Sequence, residues 1–146
     1  MYANDGFREL DRRECLRLLA GVPVGRVVHT RDALPAVLPV NFALDRDGAV
    51  VLRTSEASEL VRAIDGAVVA FEADEVDAVA HAGWSVVVTG RATVVGDPGE
   101  HERLVRVGPR SWVPSRREVI VRIEPELVTG RELTAGRTMY GLDRVS

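Results

Sequence analysis

The run G-W-S-V-V-V-T-G-R-A-T-V-V, residues 83–95, decides the fold. It is the longest strand-like stretch of the chain, and Gly90 interrupts it mid-run. A glycine inside a strand marks a bulge or a sharp bend, the feature a barrel needs where a strand turns its corner. Upstream, residues 24–30 and 35–44 read as strands joined by the turn Arg31-Asp32-Ala33-Leu34. The tetrad Asp45-Arg46-Asp47-Gly48 then turns tightly into a third strand that starts at Ala49. Connections this short favour an antiparallel meander over a parallel sheet. Further strands are predicted at 67–73, 118–123 and 126–133, the last two split by Glu124-Pro125. About seven strands with two or three helices, and no βαβ rhythm, predict a mainly β fold. Its expected form is a closed or nearly closed antiparallel barrel with peripheral helices.

The first helix is announced by Asp11 as N-cap with Glu14 three residues on, a capping box, and Gly21 and Pro23 end it. A second helix is predicted over 56–65, and a third runs from Asp97-Pro98 to about Val107. Residues 1–9 read as an arm or edge extension, 74–82 as an acidic exposed loop and 134–146 as a polar tail. The whole of 1–146 reads as one domain.

Net charge is −3 with no basic block, so nucleic acid is not an expected partner. All 19 basic residues are arginine, which removes Schiff-base and lysine-base chemistry. The single cysteine, Cys15, excludes an intramolecular disulfide and reads as a small buried hydrophobe in the first helix. His29, His81 and His101 have no metal-ligand spacing, and no metal site is expected. The acidic run Glu72, Asp74, Glu75, Asp77 reads as solvated carboxylates. The N-terminus lacks a basic segment followed by an apolar run, and no stretch reaches membrane-spanning length. A cytoplasmic chain with no membrane partner is therefore expected. No catalytic side-chain set stands out, so an enzyme would need a cofactor.

Residues 50–64, V-V-L-R-T-S-E-A-S-E-L-V-R-A-I, gather anion-binding groups: the Arg53 guanidinium and the hydroxyls of Thr54, Ser55 and Ser58 near a helix start. A phosphate is the natural guest. On spacing alone, a solvated strand-end Arg53 with Ser55 or Ser58 as a helix cap accounts for the stretch slightly better.

Several motifs together resemble the pyridoxamine 5′-phosphate oxidase-like flavoproteins, which share the FMN-binding split β-barrel, antiparallel and Greek-key-like. They are L-x-x-x-E-C-x-x-L-L at 10–19, V-G-R at 24–26, P-V-N-F-A-L-D at 39–45 and L-R-T at 52–54. G-W-S-V-V-V-T-G-R-A at 83–92, W-V-P at 112–114 and V-T-G-R at 128–131 complete the set. The resemblance covers residues 10–131. It implies a homodimer with flavin at the subunit interface, acting as an FMN-dependent oxidoreductase on a small-molecule substrate. Pro39, Val40 and Asn41 would line the flavin ring through their backbone. Arg53, Thr54 and Ser58 would hold the FMN phosphate, and Trp112 would cover the flavin of the partner subunit. A deazaflavin is the other cofactor this fold accommodates.

The chain departs from the family at Ala57-Ser58-Glu59-Leu60, where G-[ST]-K-L is usual. Glu59 in place of lysine sets a like charge beside a phosphate, worth roughly 3 kcal/mol per unit-charge pair at ~5 Å and an effective dielectric near 20. Three placements are open for Glu59: outward into solvent, paired with Arg53, or paired with Arg62. The departure supports the other reading, a non-catalytic split-barrel dimer that binds flavin or another ligand through a degenerate phosphate site.

Overall fold

The computed structural model describes residues 6–111 and 118–134. Its elements in chain order are β1 (Arg8–Leu10), α1 (Arg12–Leu19), β2 (Val24–Arg31), β3 (Leu34–Leu44), β4 (Val50–Ser55), α2 (Glu59–Ile64), β5 (Val68–Asp77), β6 (Ala82–Val94), α3 (Pro98–Val107), β7 (Glu118–Ile123) and β8 (Leu127–Leu133). All the strand pairings are antiparallel, in the order β1-β8-β6-β5-β2-β3-β4-β7, with a further β6–β7 pairing that closes β2 to β7 into a six-strand barrel.

Gly90 makes that closure work. One edge of β6 pairs with β8 over Gly83 to Thr89 and with β7 over Ala92 to Val94. The exchange happens at Gly90, where a Cβ would stand 1.7 Å from the Glu124 carbonyl oxygen. The β7–β8 connection therefore crosses directly over a missing side chain. It is tied there by Glu124 N–H donating to the Arg91 carbonyl at 3.0 Å, and by Arg91 N–H donating to Glu126 Oε2 at 2.7 Å. The bend expected at Gly90 is the point where the barrel splits.

Inside, Val27, Leu52, Phe71, Val86, Val88, Val121 and Ile123 form the core, and Phe42 meets Phe71 edge-on at 4.6 Å between ring centroids. The helices pack against the strands. α1, with the expected Asp11/Glu14 capping box, buries Cys15 and Leu19 against β8 and β6. α2 buries Leu60 and Ile64 and packs on β2 and β6. α3 buries Leu104 beside Val51 and Ile120. Arg103 grips Asp45 through both terminal nitrogens, at 3.1 and 2.8 Å, and Arg122 reaches the same carboxylate at 2.6 Å. These guanidiniums, Arg103 foremost, hold the Asp45 carboxyl far below the ordinary carboxylate range.

Two expectations change. The second helix is shorter than 56–65, because Ser58, one of the two expected caps, starts it and residues 56–57 form a turn. Residues 74–82 are not a loop: β5 continues to Asp77 and β6 starts at Ala82, leaving a turn at 78–81. The acids there lie on a paired strand, and Arg26 on the neighbouring strand pairs with Asp74 and Glu72. Of the two readings of the N-terminal segment, the edge extension holds from Arg8, which begins a strand paired with β8.

Gly90→Ala should destabilise the chain by at least ~2 kcal/mol, since backbone must move to admit one methyl group. A thermal melt should fall by roughly 5 °C or more. An unchanged melt would mean that the β7–β8 connection does not rest on this residue.

Candidate functional site

The β3–β4 ladder stops at Phe42↔Leu52. Past that pair, Asn41, Val40 and Pro39 remain paired with Val24, Gly25 and Arg26 of β2, while Arg53, Thr54 and Ser55 remain paired with Ile120, Val119 and Glu118 of β7. The two strands are held by different neighbours and diverge. Pro39 to Asn41 and Arg53 to Thr54 therefore lie on the two lips of the cleft left where β3 and β4 part beyond Phe42 and Leu52. No ladder joins these lips, so main-chain polar groups along the β3 lip are available to a ligand, as on any sheet edge. Asn41 Nδ2 donates to the Arg110 carbonyl at 2.5 Å, anchoring the chain that leaves α3. Trp112 lies outside the described residues.

The hydroxyls lie just beyond the β4 lip. Ser55 Oγ accepts from Ala57 N–H at 3.3 Å, and Ser58 N–H donates to the Ser55 carbonyl at 3.0 Å. Ser58 Oγ caps α2 by accepting from Leu60 N–H at 3.1 Å, which leaves its own proton to donate. Arg53 is only 21% exposed, and its Nε donates to Glu118, a partner that sequence order gave no means of finding.

Glu59 takes neither of the partners considered for it. It is exposed and pairs with Arg31 at the end of β2, turning its charge toward a cation and away from Arg53. One polar atom near the cleft strand is unsatisfied: His29, the register partner of Ala36 on β3, has a buried Nδ1 with no hydrogen-bond partner among the described residues. These residues fit a flat cofactor carrying a phosphate, with an open strand edge beside hydroxyls and a guanidinium. Glu118 already shares that guanidinium.

On the outer side of the sheet, Arg26 holds Glu72 at 2.9 Å and Asp74 at 3.4 Å. Burial, reinforced by the neighbouring Asp74, pushes the Glu72 carboxyl up to about 7 against the pull of Arg26. Exposed apolar side chains flank this cluster, among them Val28, Val37 and Leu127.

A family model described as pyridoxamine 5′-phosphate oxidase matches residues 11–132. The uncharacterized protein Rv0080 of Mycobacterium tuberculosis is 51% identical over 132 residues, covering 87% of this chain and 86% of that one. Among solved structures, the FAD binding protein from Mycobacterium smegmatis is 35% identical with a TM-score of 0.79, covering 88% of this chain and 100% of that chain. A conserved protein of unknown function from Corynebacterium diphtheriae is 34% identical with a TM-score of 0.75, covering 89% and 100%.

Because Glu72 keeps its proton to a higher pH when folded than when unfolded, its stabilising contribution is complete below the unfolded value near 4.5. It is lost as pH rises through about 7. Glu72→Gln should therefore gain melting temperature relative to the natural chain between pH 5 and 8, by a few degrees. Parallel melting curves for the two proteins across that window would refute the assignment.

Proposed function

The chain belongs to the pyridoxamine 5′-phosphate oxidase family, and we propose that it is a homodimeric flavin-dependent oxidoreductase acting on a small molecule. The parting of β3 from β4 after Phe42 and Leu52 is the observation that supports this reading, with Arg53, Thr54 and Ser58 following along β4 to the start of α2. The FAD binding relative at 35% identity supports a flavin. FMN is the form we assign, since the phosphate-binding groups of residues 53–58 suit a terminal phosphate. FAD and a deazaflavin are the alternatives.

Bound flavin would supply the redox chemistry, accepting and returning a hydride equivalent. The protein's part is position and electrostatics. Main-chain groups of Pro39, Val40 and Asn41 would orient the ring edge, and Thr54 and Ser58 would donate to phosphate oxygens. Arg53 would balance their charge, partly offset by Glu118. A second copy of the chain would cover the exposed β2–β3 hairpin, where Leu34 and Val37 are 66% and 61% exposed, and would shield the flavin from water. The non-catalytic reading has one observation in its favour, the commitment of Arg53 to Glu118.

Absorption spectra and FMN titration of the purified protein test the proposal. Saturable binding of one FMN per chain is expected, weakened at least about tenfold by Arg53→Ala and tightened by Glu118→Gln, which releases the guanidinium. Protein that binds neither FMN nor FAD would refute the flavin reading. Glu59→Lys should tighten FMN by less than about tenfold, and less again at high salt, because Glu59 is exposed and already paired. A hundredfold gain would instead place Glu59 against the phosphate.

A further inference from the structure

The sheet has a broad outer face. Register places Val37, Val28, Ala70, Thr89 and Leu127 in a single row across β3, β2, β5, β6 and β8. Side chains alternate between the two sides of a strand, so this row points away from Val27, Phe71 and Val88. Those residues mark the core side, where α1 and α2 bury their apolar side chains. Val37 and Leu127, at the two ends of the row, are 61% and 57% exposed, and Val68, two residues along β5 from Ala70, is 57% exposed. An apolar patch that runs across the whole sheet marks a surface made for contact. Its occupant follows from continuity. Val37 belongs to the β2–β3 hairpin that the second copy covers in the dimer proposed for the flavin site, and the inference rests on that dimer.

The next row carries an unbalanced charge. Arg26 pairs with Glu72 at 2.9 Å and with Asp74 at 3.4 Å, one cation for two carboxylates. β6 sets Ser85, Val87 and Thr89 against β5 here, none of them charged. Further out on the same face, Arg131 and Glu9 lie opposite each other in the Asp74 row. Arg91 lies opposite Val68, its guanidinium committed to the Gly66 carbonyl. With both acids ionised, the Arg26 cluster therefore keeps one excess negative charge. An isologous contact sets two such clusters in one interface, where desolvation makes each excess charge costly. A proton on Glu72 leaves each cluster neutral. Burial and the neighbouring Asp74 already push that carboxyl up to about 7 in the single chain.

We propose that two copies of the chain dock through this outer face, and that each takes up a proton at Glu72 when the pair closes. The dimer that shields the flavin is thus favoured below neutral pH and loosens above it.

Sedimentation of the full chain across a concentration series at pH 6 and pH 8 tests this. Two linked protons predict a dimer about a hundredfold weaker at pH 8 than at pH 6. Glu72→Gln should hold the pH 6 dissociation constant at both pH values. Asp74→Asn leaves Arg26 and an ionised Glu72 in balance, so it too should flatten the profile while the carboxyl at position 72 remains. Val37→Asp and Leu127→Asp, both at exposed positions, should each weaken the dimer at pH 6 by at least about tenfold. A dimer equally tight at both pH values would overturn the inference and leave the homodimer reading standing. So would a pH dependence that survives Glu72→Gln and Asp74→Asn, or a dimer indifferent to both surface substitutions. A chain that stays monomeric at both pH values would overturn the two together, whether or not it binds FMN.

Discussion

The barrel depends on a contact made possible by an absent side chain. With no Cβ at Gly90, the Glu124 carbonyl can sit against β6, and β6 can pass its edge from β8 to β7 within a few residues. The consequences run around the sheet. Once β7 joins β6, it also pairs β4 as far as Ser55, and β4 is drawn from β3 after Leu52. The cleft between Asn41 and Arg53 thus opens where β4 stays with β7 and β3 stays with β2. β4 keeps its pairing with β7 through Ser55, while its pairing with β3 ends at Leu52.

Electrostatics refines this frame. With arginine as the only strong cation, several carboxylates among the described residues meet a guanidinium: Asp45 with Arg103 and Arg122, Glu118 with Arg53, and, on the outer side of the sheet, Glu72 and Asp74 with Arg26. These pairs differ in consequence. Asp45 is 6% exposed, so loss of one arginine would leave a desolvated charge poorly paired, and the cluster ties α3 to the β3–β4 turn. The Arg31–Glu59 pair lies in solvent and contributes little. Its importance is directional, since it turns the Glu59 charge toward Arg31 at the end of β2.

The same sheet offers a cleft and a face. The cleft is made by strands parting, and the face by a row of apolar side chains beside Arg26, Glu72 and Asp74. Neither requires a long loop, which suits a chain whose connections are mostly tight turns.

The sequence by itself determined what neighbouring residues decide. The capping box of α1, the hairpin turns, the run of strands and the bend at Gly90 all follow from local conformational preference and side-chain periodicity. The motifs at 39–45 and 52–54 also marked both lips of the cleft, through their resemblance to a family. Only the tertiary structure decided who pairs with whom. Glu118 lies 65 positions from Arg53, and Arg31 lies 28 from Glu59. The acids at 74–77 looked like a loop because Arg26, 46 residues before Glu72, was out of view. Ion pairing and strand register are set by distances in space, which backbone closure fixes and which no local window of residues contains.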